Sequence, residues 1–420
     1  MAERETQSIL VVGGGISGLT AAIEAAEAGY DAYIVEKNPY LGGRVAQFHH
    51  YFPKLCPPLC GLEINFRRLK LNPRIRFFTM AEVKNIAGEK GAFDVSITLN
   101  PRYVNDKCTG CGKCEEACTM EIDNPFNYGM DKMKAAYLPH KMAFPMRYVL
   151  DEALVKSDEG QKVKEACPYD AIELDMAPKT MALKVGSIVW STGWRPYDAN
   201  KLDTYGFGEY PDVITNVMME RMASWAGPTQ GKILRPSDGS EPKTVAFVQC
   251  AGSRDENHLP FCSSICCLAS MKQATYVREQ YPDAKITIFF IDVRATDRLE
   301  TFYAKVKEDE NIEFFKGKVA QINPVEGGEG LILRVEDTTT ESLHEIPADL
   351  IVLATGMEPN TSDSPIPFQV AYDDYGFVAA QEATPGIVAA GCSRFPTNVS
   401  ECVQDGTAAA LKAIQSIARR

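Results

Sequence analysis

The chain has 420 residues, room for two or three domains and a sizeable core, and a globular composition of 45% hydrophobic and 24% charged residues. A net charge of −12 argues against nucleic acid as a partner, because phosphate binding needs clustered lysine and arginine. No apolar run approaches the ~20 residues of a bilayer crossing, and 13 cysteines without an export signal point to metal or redox chemistry in a reducing, cytoplasmic compartment.

In chain order, an apolar strand Ile9–Val12 turns through Gly13, Gly15 and Gly18 into an alanine-rich helix, and a second strand ends on Glu36. Gly13 allows the tight turn, Gly15 lets backbone approach a pyrophosphate, and Gly18 lets helix and strand pack closely. The helix N-terminus offers N–H groups and partial positive charge to phosphates, with Ser17 a further candidate contact. Glu36 is placed to accept from ribose hydroxyls, with Lys37 beside it. Gly42-Gly43-Arg44 follows, and with it the segment resembles the extended signature of flavoproteins with two dinucleotide-binding domains. That resemblance implies FAD rather than NAD, with Gly43 and Arg44 among its contacts.

The next stretch is rich in proline and histidine and reads as a loop carrying Cys56 and Cys60. Two readings stand for this pair: a redox disulfide against the flavin ring, as in one flavoprotein branch, or two reduced loop thiols. After strand-rich sequence to Leu99 comes DKCTGCGKCEEACTM, in which Cys108, Cys111, Cys114 and Cys118 have the bacterial ferredoxin spacing. KEACPYDAIEL farther on reproduces the end of a second such motif, with Cys167 but without its first three cysteines. In two-cluster ferredoxins the fourth cysteine of each run serves the other cluster, so the expected ligand set is Cys108, Cys111, Cys114 and Cys167, leaving Cys118 unused. Zinc on the same thiolates is the competing reading. Between the two runs, Met- and Tyr-rich sequence suits packing, with a helix expected around 146–157.

Two apolar strands then end in the corners Thr192-Gly193 and Thr355-Gly356, marking crossings between an FAD domain and a second dinucleotide-type domain. Between them KTVAFVQCAGSRDEN occupies the place of an NAD(P)H phosphate loop but lacks GxGxxG, and LPFCSSICCLASMKQA adds a cysteine group. Electrons are therefore expected to arrive through metal centres; Arg254 has a plain ion-pair role as its alternative. The last strand, Ile387–Ala390, ends at Gly391 and Cys392, before a helix from about Gly406 whose N-terminus favours negative charge on the flavin. Cys392 stands where such flavoproteins carry an aspartate on the ribityl chain, and it and Cys402 suit packing. The expected fold is α/β, a two-dinucleotide-binding-domain flavoprotein of thioredoxin/disulfide-reductase-like type with an inserted ferredoxin-like iron–sulfur domain. Its segments are 1–100 (FAD domain, first part), 101–178 (insertion), 179–240 (crossover), 241–345 (second Rossmann-like domain without the phosphate loop) and 346–420 (FAD domain, last part).

The stretches GGGISGL, CTGCGKC with ACPYDAI, STGWRPYD, QCAGSRDENHLPFCSSICC and GCSRFPTNVSECVQDGTAAA together resemble the flavin-bearing A subunits of the heterodisulfide reductase family. The chain's end at Arg420, without paired ferredoxin motifs beyond it, is the pattern of the short members in the quinone-interacting membrane-bound oxidoreductase complex of sulfate reducers. The resemblance implies a second [4Fe-4S] cluster on Cys250, Cys262, Cys266 and Cys267, and Lys272 beside the flavin, where a cation stabilises an anionic ring. It implies as partners adenylylsulfate reductase, a homologous flavin/iron–sulfur subunit and a haem-containing membrane subunit, with membrane attachment through partners alone. The expected function is electron transfer between menaquinol-linked partners and adenylylsulfate reductase in sulfate respiration, with bifurcation or confurcation at the flavin. The alternative is an NAD(P)H-dependent disulfide oxidoreductase using Cys56 and Cys60.

Overall fold

Strand β1 (Ile9–Val12) is buried along its whole length, as a parallel strand covered on both faces must be. Helix α1 (Ile16–Glu27) carries the chain back to β2 (Ala32–Glu36), in parallel register Ile9↔Ala32. The computed structural model describes residues 7–296, 298–327, 330–379 and 384–418; the chain ends, which bound the expected first and last segments, lie outside them. Helix α2 (Pro58–Leu71) occupies part of the expected loop, because Pro58 sits in the first turn, where a missing N–H is harmless. Strand β3 (Ile75–Thr79) completes the first half, and β4 (Ala81–Glu89) and β5 (Ala92–Leu99) form a hairpin.

The hairpin's third strand, β10 (Lys179–Val185), pairs Lys179 with Leu99, so residues 100–178 leave and re-enter the sheet at one point. This insertion holds α3 (Lys113–Ala117), the hairpin β6 (Glu121–Asp123) and β7 (Lys132–Lys134), β8 (Ala136–Tyr137), β9 (Val149–Leu150), α4 (Glu152–Val155) and α5 (Asp158–Glu165). It has a core of its own around Val104, Tyr148, Leu154 and Val163. The helix expected over 146–157 shrinks to α4, because Val149–Leu150 pair with Ala136–Tyr137 and the Asp151 side chain caps Ala153 N at 2.8 Å.

The chain continues through β11 (Ser187–Trp190), β12 (Trp194–Pro196), β13 (Val213–Thr215), α6 (Asn216–Ala223), β14 (Thr244–Ala251), α7 (Cys266–Gln280), β15 (Lys285–Phe290) and α8 (Leu299–Lys307). Strands β16 (Ile312–Pro324), β17 (Leu331–Asp337), β18 (Ser342–Ala348), β19 (Leu350–Thr355), β20 (Met357–Pro359) and β21 (Ile387–Ala389) precede the closing helix α9 (Val399–Ile417). A five-stranded parallel sheet β21-β11-β1-β2-β3 and a seven-stranded sheet β13-β19-β14-β15-β16-β17-β18 form the two large layers. The two Thr-Gly corners lie immediately before β12 and β20, which pair antiparallel at Trp194↔Pro359 and tie the two halves together.

Helix α9 begins seven residues before the expected start, at the Asn398 cap, whose side chain accepts from Glu401 N at 3.0 Å. Gly406 is inside the helix for a packing reason: a Cβ there would sit 2.6 Å from Ser17 O, so glycine lets α9 lie against α1. Among the described residues, no helix is long and apolar enough to cross a membrane.

Candidate functional site: a cavity and two cysteine groups

A cavity of about 440 Å³ runs from the β1–α1 turn to the N-terminus of α9. At one end the turn places Gly13 and Gly15 against it. Gly13 has φ +102°, and a Cβ there would meet Ser191 O at 2.3 Å. A Cβ on Gly15 would meet nothing nearer than Gly43 Cα at 3.9 Å, so Gly15 leaves room for a ligand. Glu36, buried at the end of β2, accepts from Gly14 N at 2.6 Å and Asn38 N at 2.7 Å; burial raises its carboxyl above the usual range, and these N–H groups oppose that rise. Arg44 lies over the Trp194 ring at 5.0 Å, with Nε donating to Trp194 O and Nη1 to Tyr128 Oη at 3.1 Å.

At the other end, Lys272 on α7 is buried against Glu220 on α6, Nζ to Oε1 at 2.9 Å, and donates to His50 O at 2.6 Å. Glu220 also accepts from Gln273 Nε2 at 2.7 Å and His49 N at 3.0 Å. Gln273 lines the cavity with its Oε1 buried and without a hydrogen-bond partner, an acceptor that suits a ligand N–H. The residues present therefore fit a dinucleotide-type flavin: an open helix N-terminus for phosphate, a carboxylate for ribose, and an unmet acceptor and a buried cation at the far end.

Of the expected cofactor contacts, Gly13, Gly15, Ser17, Glu36, Gly43, Arg44, Thr192, Gly193, Cys392 and Lys272 line this cavity. Gly18, Lys37, Thr355, Gly356 and Gly391 lie off its wall. Gly18 and Gly391 serve close packing: a Cβ would stand 1.9 Å from Gly13 O in the first case and 2.2 Å from Ser17 Oγ in the second. Lys37 points to solvent. Cys56 and Cys60 do not line the cavity either, and Cys60 is exposed on α2. Sequence reasoning missed the wall contributed by the insertion (Phe126, Tyr128, Tyr137) and by Asn216, Glu220 and Gln273. An adjacent Glu220-Arg221 pair in the otherwise mostly apolar VMMERMASWA stretch was the one available signal for Glu220.

Two cysteine groups lie outside the cavity wall. Cys108, Cys111, Cys114 and Cys167 share one small hollow with Tyr148 and Ile172. Gly110 and Gly112 take φ +73° and +84°, folding the loop around that hollow, and Ala171 N points at Cys167 Sγ at 3.4 Å. Burial pushes the Cys114 thiol up to about 12. Cys118 is buried in the insertion's core, away from the hollow's wall. Cys250, at the end of β14, lies close to Cys262, Cys266 and Cys267 around the start of α7; burial and then the neighbouring thiols hold Cys250, Cys266 and Cys267 above the ordinary thiol range, Cys250 up to about 11. Cys250, Arg254 and Ser264 all have left-handed backbone, φ 55°, 58° and 62°, as the chain curls around this group. Ser264 N donates to Cys262 Sγ at 3.3 Å, and Arg254 pairs with Asp292 at 2.6 Å. Eight thiols in two groups, each with backbone N–H aimed at sulfur, are a soft donor set that suits iron–sulfur clusters. Among the described residues no three His, Cys, Asp or Glu side chains are grouped so as to hold a single ion.

A family model of NAD(P)-binding Rossmann-like domains matches residues 11–75. Thioredoxin reductases share the fold: that of T. acidophilum at TM-score 0.54 and 15% identity (97% of each chain covered), and that of Lactococcus lactis at 0.52 and 14% (98% of this chain, 99% of the other). The chain is 36% identical over 98% of its length to the A subunit of the ferredoxin:CoB–CoM heterodisulfide reductase of Methanosarcina mazei, covering 53% of that protein. It is 37% identical over 98% of its length to the second iron–sulfur A subunit of the CoB–CoM heterodisulfide reductase of Methanopyrus kandleri, covering 65% of it. The corresponding iron–sulfur A subunit of Methanocaldococcus jannaschii is 36% identical over 96% of this chain and 63% of that protein. The chain thus spans about half to two thirds of the curated relatives it matches. Along nearly its whole length the chain is similar to the A subunits of CoB–CoM heterodisulfide reductases.

Proposed function

We propose that this chain is an FAD- and iron–sulfur-bearing electron-transfer subunit, with the flavin in the cavity and a [4Fe-4S] cluster on each cysteine group. One observation carries the reading: α7 begins with Cys266 and Cys267 and presents Lys272 to the cavity wall. At ~1.5 Å of rise per residue, that stretch of helix spans about 9 Å, a short path for an electron. FAD bound there supplies the exchange between paired and single electrons. Gly13, Gly15 and Ser17 leave the α1 N-terminus open to the pyrophosphate, and Glu36 orients the ribose. Lys272, held by Glu220, sets positive charge beside the ring and favours its anionic reduced form. Thr192, Gly193 and Cys392 also line the cavity, while Gly18, Lys37, Thr355, Gly356 and Gly391 lie off its wall.

The five sequence segments divide the work: 1–100 and 346–420 hold FAD, 179–240 crosses between halves, 101–178 carries one cluster and 241–345 the other. The motifs shared with the heterodisulfide reductase A subunits support a place beside a homologous flavin/iron–sulfur subunit, together with a haem-containing membrane subunit, at the cytoplasmic face of the membrane. There electrons pass between menaquinol-linked partners and adenylylsulfate reductase in sulfate respiration, with pairs split or merged at the flavin. Flavin, iron and acid-labile sulfide assays on anaerobically purified protein test the cofactor set. About one flavin with about eight irons and eight sulfides per chain is the expected result, and zinc without sulfide refutes it. Rapid bleaching by NADH or NADPH would favour the disulfide-reductase alternative.

A further inference from the structure

Cys392 and Cys402 come from different elements, the turn Gly391–Ser393 after β21 and the first turns of α9. Their Sγ atoms are 3.8 Å apart. They are 5% and 6% exposed, and both line the cavity. Around them pack Met357, Ile16, Trp194 and Ile265, so each has the other, and no third thiol, in this cluster. The two backbones are already fixed to each other: Gly391 N donates to Asp405 Oδ2 at 2.6 Å, and Arg394 pairs with the same carboxylate. A disulfide needs its sulfurs at about 2.05 Å, so about 1.8 Å of approach remains.

The two sulfurs are not equivalent. The two Sγ atoms share a hydrogen bond in which either can donate; that contact and the Ser17 hydroxyl hold the Cys402 thiol below the ordinary range against burial and the Asp405 carboxylate. Cys402 also sits near the N-terminus of a long helix. The same contact, with burial, holds the Cys392 thiol well above the ordinary range.

We propose that Cys392 and Cys402 are a reversible dithiol–disulfide centre in the cavity wall, oxidised by exchange with a low-molecular-weight disulfide. The Cys402 thiolate attacks one sulfur of the small disulfide RSSR; that S–S bond breaks, a Cys402–SR bond forms, and the departing thiolate takes up the proton Cys402 lost. The Cys392 sulfur, giving up its own proton, then attacks Cys402 Sγ and releases the second RSH. The protein dithiol is oxidised by two electrons and RSSR is reduced to two RSH. A small dithiol reverses the reaction. This centre goes beyond the clusters and flavin of the proposed function and does not require either to be loaded.

The test uses the full chain, purified anaerobically, equilibrated with reduced and oxidised glutathione at several ratios, alkylated, digested and mapped by mass spectrometry. The expected result is a peptide pair joined through Cys392 and Cys402 that grows with the oxidised share and vanishes with excess dithiothreitol. In Cys392→Ser the second step is blocked, so glutathione is expected to stay on Cys402. The proposal is overturned if both residues are recovered as separate thiols at every ratio, or if wild-type Cys402 carries glutathione without the crosslink. The wild-type map decides the matter even if the variant does not fold.

Discussion

Gly15 and Gly18 stand in one turn but have different reasons to be glycine, and replacing each by alanine separates ligand approach from packing. Gly15 has φ −75° and ψ −175°, backbone that alanine adopts without strain. Its added methyl meets only Gly43 Cα at 3.9 Å, an ordinary contact. As the cap of α1 it costs about 1 kcal/mol or less when changed to alanine. The same methyl projects where the pyrophosphate is expected to approach, so FAD affinity is expected to fall at least tenfold, about 1.4 kcal/mol or more. Gly18→Ala is the reverse case. Its methyl would stand 1.9 Å from Gly13 O and 2.6 Å from Ser191 Oγ, backbone and buried side chain that cannot move far. Overpacking of this kind costs about 1–3 kcal/mol, and the depth of this overlap puts it at the upper end. Thermal unfolding of flavin-free protein by circular dichroism reads the first quantity, and quenching of FAD fluorescence on binding reads the second. Gly15→Ala binding FAD as wild type does, or Gly18→Ala unfolding no more readily than Gly15→Ala, would refute the reasoning.

Glu220→Gln and Lys272→Met should each destabilise the protein by about 3 kcal/mol, since each leaves a buried charge unmatched; in urea unfolding, the double variant should cost clearly less than the sum, and additive costs would break the pair. Burial holds the His49 and His140 imidazoles at about 4, against an unfolded value near 6.5. Below pH 6.5 the unfolded chain takes up the protons that the fold excludes, so stability is full above that pH and is lost as pH falls toward 4. His140→Phe, which keeps the ring stack on Phe126, should flatten that fall in melting temperature. Cys118→Ala should keep the iron content of wild type, whereas Cys167→Ala should lose one cluster's worth; equal losses would place Cys118 among the ligands.

What could be read in the sequence was local. The β1–α1–β2 unit announces itself through an apolar run, closely spaced glycines and an acid at the strand end, all within one short segment. Cysteine spacing likewise marks Cys108, Cys111 and Cys114, because one loop must wrap one object. Contacts between distant segments were not legible. Tyr128 reaches Arg44 across the insertion, and Glu220 reaches Lys272 between two helices. Nothing in their own neighbourhoods states those partners. Glycine was ambiguous for a physical reason: close approach to a phosphate and close approach to another backbone select the same residue. Gly15 lies on the cavity wall, while Gly18 and Gly391 lie off it against Gly13 O and Ser17 Oγ. The helix expected near 146–157 is cut down to α4 because pairing of Val149–Leu150 with Ala136–Tyr137 outweighs local propensity.

The central claim is that a flavin in the cavity lies within electron-transfer reach of thiolate-held iron at the start of α7. Electron paramagnetic resonance during a stepwise anaerobic reductive titration tests it most directly. Cluster signals are expected together with a flavin radical whose relaxation is accelerated by a nearby paramagnet, an acceleration lost in Cys266→Ala. A slowly relaxing, isolated flavin signal beside intact clusters, or protein with neither chromophore, would contradict it.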